Sequence, residues 1–104
     1  MDRIEMLKQY AAEDPGDPFN RYALALEYLK IDIPEARRLF EELVTNHPDY
    51  LPTYYPYAQL LFENKENQKA EETFQKGIEI ARAKGDLKTL HELQSAHQDL
   101  LYGG

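Results

Sequence analysis

The chain has 104 residues, 42% of them apolar, which fits one domain with a core and excludes a disordered chain. Twelve basic against nineteen acidic residues give a formal charge of −7, the wrong sign for nucleic acid or an anionic membrane surface. The chain has no Cys, which excludes disulfides, thiolate zinc sites and cysteine nucleophiles together, and no apolar run nears the roughly 18 residues that span a bilayer.

The acidity is spread along the chain and reads as solubility. No apolar segment follows Met1-Asp2-Arg3-Ile4-Glu5, so no signal peptide is read there and a cytoplasmic protein is expected.

Residues 2–14 read as a first helix, because Leu7-x-x-Tyr10 followed by Asp14-Pro15 matches Phe40-x-x-Leu43 followed by His47-Pro48. Asp17-Pro18 is an N-cap followed by Pro at the first helical position, and predicts a helix through about Lys30. Asp32-x-Pro34-Glu35 starts the third helix, with Glu35 placed to complete a capping box, and Asn46-His47-Pro48 ends it. Pro52 starts a fourth helix. Pro56, inside it, removes a backbone donor and predicts a frayed or bent first turn. Asn67 is placed to cap the fifth helix. Gly85-Asp86 is a stop and a new cap, opening a sixth helix over 87–101 with Leu90, Leu93, Ala96 and Leu100 on one face.

Two stretches of this chain repeat. Leu24-Ala25-x-x-Tyr28 pairs with Tyr57-Ala58-x-x-Leu61 at an offset of 33, and Ala36-x-x-x-Phe40 pairs with Ala70-x-x-x-Phe74 at 34. One residue is therefore missing from the first turn, around Lys30-Ile31-Asp32. Small residues let helices approach closely, so Ala25, Ala36, Ala58 and Ala70 mark crossing points, with Tyr28, Phe40, Leu61 and Phe74 filling the space around them.

These residues resemble the tetratricopeptide repeat (TPR) pattern, W-x-x-L-G-x-x-Y, then A-x-x-x-F, then P, at a period of about 34. Arg21 and Tyr54 stand at the Trp, and Ala25 and Ala58 at the Gly. Pro48 matches the closing Pro, where the second repeat has Arg82 and its last helix can run on. The resemblance covers roughly residues 3–83. It implies an all-α fold of antiparallel helix-turn-helix repeats in a right-handed solenoid of about six helices. The expected organisation is a single domain over 1–104. Residues 2–14 are a lone second helix, 18–48 and 51–83 are full repeats, and 86–101 is a polar-faced capping helix, with a degenerate third repeat as the alternative.

In TPR folds the first helix of each repeat lines a concave groove. At about 100° per residue, Leu24, Ala25 and Tyr28 face the paired helix, while Tyr22, Leu26 and Leu29 form a second stripe roughly 115° around, extended by Phe19. Tyr55, Gln59 and Phe62 form the equivalent stripe in the second repeat. The functional reading is an aromatic groove for a peptide or a helix; the competing one is core, covered by the last helix. Some TPR domains grip a terminal carboxylate with Lys and Asn on these helices. Tyr22, Leu26 and Gln59 occupy those positions here and Lys30 is the only cation nearby, so no carboxylate clamp is expected.

No enzyme is expected, since no phosphate loop, G-x-S-x-G or H-E-x-x-H occurs and the carboxylate pairs lie on charged helix faces. His91 and His97 are six apart, about 240° around a helix, so no shared metal is expected, and no cofactor. The terminal Gly103-Gly104 is shared with ubiquitin-like modifiers, but these have a β-grasp fold, and a helix stop is the reading here. The partner is expected to be a protein or peptide, with homodimerisation through the same aromatic surface as the alternative.

Overall fold

The computed structural model describes residues 1–103; Gly104 of the Gly-Gly pair lies outside them. Among the described residues there are six α-helices and no strand. They are α1 (Arg3–Glu13), α2 (Pro18–Tyr28), α3 (Ile33–Asn46), α4 (Tyr54–Glu63), α5 (Asn67–Lys84) and α6 (Leu87–Gln98). The chain folds as two compact units, one running to Thr53 and one starting at Tyr54. In the first, α2 packs against both α1 and α3. In the second, α5 packs against both α4 and α6, with a lighter contact between α4 and α6. Short turns between these helices make each pair an antiparallel hairpin.

The expected crossing points are real. Ala25, Ala36, Ala58 and Ala70 are all fully buried, and Phe40, Leu61 and Phe74 pack around them with no exposed surface. Leu7 and Ala11 hold α1 to this core in the first unit, and Leu90, Leu93 and Ala96 hold α6 in the second. Burial of such side chains is worth about 1.5–3 kcal/mol each before entropy is counted.

Four helices begin on an aspartate whose carboxylate accepts a backbone N–H of the first turn. Asp2 accepts from Glu5 at 2.8 Å, Asp17 from Phe19 at 3.0 Å, Asp32 from Glu35 at 3.2 Å and Asp86 from Thr89 at 3.1 Å. The capping box expected at Asp32 is only half made. The Asp32 N–H donates to the Tyr28 carbonyl at 2.7 Å, and the Glu35 carboxylate turns to Arg38. Asn67 is not the cap of α5 but its first residue; Glu66 holds the cap position without a side-chain bond to the backbone.

The turn that is one residue short also differs in kind. After α4, Lys65 takes a left-handed conformation (φ 64°), its N–H donating to Phe62 and the Glu66 N–H to Leu61. The same closure follows α5, with Gly85 at φ 70°. After α2 no residue has positive φ: Lys30 and Ile31 continue in tight turns back to Glu27 and Tyr28. The missing residue is the left-handed one, and α2 ends at Tyr28 instead of Lys30.

Pro52 lies in a 3₁₀ turn, Leu51–Thr53, and α4 proper starts at Tyr54. Pro56 is then in the first α-helical turn, where its N–H would lack an intrahelical acceptor anyway, so it costs little. As expected from Arg82, α5 runs on to 18 residues against 14 for α3. The helix expected over 87–101 is α-helical only to Gln98, then widens into a π-helical turn, Asp99–Gly103.

Candidate partner-binding surface

Each first helix shows two unlike faces. On α2, Leu24, Ala25 and Tyr28 are buried, whereas Phe19 is 54% exposed and Tyr22, Leu26 and Leu29 are half-buried. On α4, Tyr57, Ala58 and Leu61 are buried, whereas Tyr55 is 38% exposed and Gln59 and Phe62 are half-buried. None of the seven stripe residues is buried. Helix α6 lies mainly on α5, which leaves these α4 side chains in contact with solvent.

Tyr50 is a further aromatic on the first unit's surface. Its ring meets Tyr22 edge-on, with centroids 5.8 Å apart and planes at 69°, a favourable quadrupole arrangement. Partial burial pushes both phenols above their ordinary range, and at Tyr50 the neighbouring Tyr22 phenol and, least, Asp17 add to the effect. Periodicity could not find Tyr50, because it lies in the loop after α3. An aromatic two residues past a helix-ending Pro was the only available signal.

Tyr22, Leu26 and Gln59, expected above to stand in place of clamp residues, are all half-buried. The nearby Lys30 is bound to Glu27 at 3.0 Å, and the same Glu27 also takes Arg3 at 3.6 Å.

Away from these stripes, a concavity of about 740 Å³ lies between α5 and α6, lined by Gln75, Ile78, Glu79, Arg82, His91 and Gln94 among others. It is open, and its lining is polar and apolar in nearly equal parts. His97 lines it too, so the two histidines share a groove despite their angular separation. The His97 ring lies 6.1 Å from Phe74, and its Nε2 is 3.8 Å from a Glu71 oxygen. Among the described residues no group of three His, Cys, Asp or Glu side chains is arranged to hold a metal. No helix among them is long and apolar enough to cross a membrane.

Paired helices at a 33–34-residue spacing, small residues at every crossing and a two-faced first helix define a helical repeat protein. The family model for the tetratricopeptide repeat matches residues 32–96, more than half of the chain, and the chain belongs to that family. A tetratricopeptide repeat domain protein from Salinibacter ruber, solved by NMR, is 48% identical, with TM-score 0.78 over 84% of this chain and 89% of that one. A crystal structure of a tetratricopeptide repeat domain protein from the same organism is 44% identical, with TM-score 0.81 over 85% of this chain and all of that one. A protein from Bordetella parapertussis shares the fold at 19% identity, with TM-score 0.79 over 97% of this chain and 89% of that one. No curated protein matches the chain. TPR domains generally bind proteins or peptides, and the fold is generally non-catalytic.

Proposed function

We propose that the chain is a protein-interaction adaptor, with 18–48 and 51–83 as its repeats and no carboxylate clamp. Its partner-facing residues are Phe19, Tyr22, Leu26 and Leu29 on α2 and Tyr55, Gln59 and Phe62 on α4, taking a peptide or a helix. One observation carries the reading: both first helices keep large aromatic side chains in contact with solvent although their opposite faces already fill a core. Aromatic rings give large contact area at small entropic cost, which suits recognition better than solubility.

The test is the triple variant Tyr22→Ala/Tyr55→Ala/Phe62→Ala, used as bait against extracts of the native cell beside the wild type. The account expects an unchanged helical CD spectrum and loss of the proteins that the wild type retains. Loss of the helical spectrum makes these residues core and removes the reading. Undiminished capture places the binding surface elsewhere. Light scattering that finds a dimer only for the wild type assigns the surface to a second copy.

A further inference from the structure

The first unit is the more acidic one. Residues 1–53 hold eleven of the nineteen acidic residues but only six of the twelve basic ones. All six of those cations are already engaged. Arg3 and Lys30 are on Glu27, Arg21 is on Glu42 at 3.3 Å, Arg38 is on Glu35 and Glu42, and Lys8 lies over the Tyr28 ring. Asp17 has no cationic partner among the described residues. One of its oxygens accepts the Phe19 N–H at 3.0 Å, at the start of α2 and one turn before Tyr22.

Two lysines of this chain already lie over tyrosine rings. Lys8 Nζ sits 5.9 Å from the Tyr28 centroid, and Lys69 Nζ sits 6.0 Å from that of Tyr57. Tyr22 and Tyr50, joined edge to face, carry no such cation among the described residues. Their edge-on packing leaves both rings half-buried, with the exposed Phe19 one turn before Tyr22 on α2.

We propose that the corner formed by Phe19, Tyr22 and Tyr50, with the Asp17 carboxylate at its edge, seats an arginine or lysine side chain of a basic peptide. The inference rests on the adaptor reading and names the partner's chemistry. The ring faces supply the negative quadrupole and the carboxylate supplies the charge, so an acidic segment is repelled and a neutral one gains only stacking. Arginine fits better than lysine, because its flat guanidinium can stack on one ring and still reach a carboxylate.

Fluorescein-labelled octapeptides of alternating Arg-Ser, Gln-Ser and Glu-Ser, titrated onto the whole chain and followed by anisotropy and ¹H–¹⁵N NMR, decide the matter. The Arg peptide is expected to bind about tenfold or more tighter than the Gln peptide, and the Glu peptide not to bind. Its amide shifts are expected to centre on residues 17–22 and 50 and to shrink as salt rises. Asp17→Asn, which keeps the helix cap, and Tyr50→Leu are each expected to weaken it about three- to tenfold. If Tyr50→Leu loses helicity, Asp17→Asn alone decides. Equal binding of the three peptides, shifts centred elsewhere, or an unaffected Asp17→Asn variant overturns the proposal. A chain that ignores the Arg peptide yet loses its captured proteins in the triple variant overturns this proposal and leaves the adaptor reading standing.

Discussion

Gly77 occupies the place in the second repeat that Leu43 occupies in the first, and the exchange is coupled to another across the hairpin. Leu43 is fully buried, and its neighbour Arg21, at the repeat's Trp position, swings out to the Pro15 carbonyl and Glu42. In the second repeat that position is Tyr54, only 3% exposed, and a Cβ added at Gly77 would stand 2.8 Å from the Tyr54 Cβ and 3.1 Å from Leu93. A helical Gly→Ala change ordinarily gains about 0.5–1 kcal/mol, while overpacking a tight core costs about 1–3 kcal/mol. The Tyr54 Cβ is fixed to its backbone and cannot turn aside, so overpacking wins. Gly77→Ala is expected to lower stability by about 1–2 kcal/mol in urea denaturation. Gly16→Ala, with open space around the new methyl, is expected to be near neutral. A stabilised Gly77→Ala variant would refute the close contact.

At the scale of elements, α6 depends on its cap. Asp86 accepts from the Thr89 N–H and, at 2.9 Å, from the Thr89 hydroxyl; these bonds hold its carboxyl below the ordinary 3.8. A depressed carboxyl stabilises the fold at pH above its unfolded value and loses that contribution as pH falls through the folded value. Thermal melts should therefore show Asp86→Asn less stable than wild type at neutral pH, with the gap closing below pH 3.8. A constant gap would mean that the charge plays no part. The helices themselves were legible because their signals are local: an Asp or Pro at each start, Gly85 at one stop, and alanines at a fixed offset. The misreadings came from competition that a linear sequence does not display. Glu35 had a nearer partner in Arg38 than the Asp32 N–H, and Pro52 wound a 3₁₀ turn ahead of α4. Lys65 gave no warning of its left-handed turn, because Gly or Asn usually marks one. The stripes on α2 and α4 were readable from periodicity, whereas Tyr50 was not, since a loop residue has no period.

At the scale of the whole molecule, the proposed function gives one face of each first helix to a partner, and the excess of acid biases which partner that is. The two units share a two-faced first helix and differ in charge, the first holding most of the negative excess. The central claim is about where contact is made, and photo-crosslinking in the native cell reads it directly. A benzophenone amino acid placed in turn at Tyr22, Tyr55 and Phe62, and for comparison at the exposed Glu41 and Lys76, reports what lies against each position. The account predicts adducts to a common foreign protein from the three stripe positions and none from the other two. Adducts from Glu41 or Lys76 with none from the stripe, or stripe adducts of twice the chain's own mass, would contradict it.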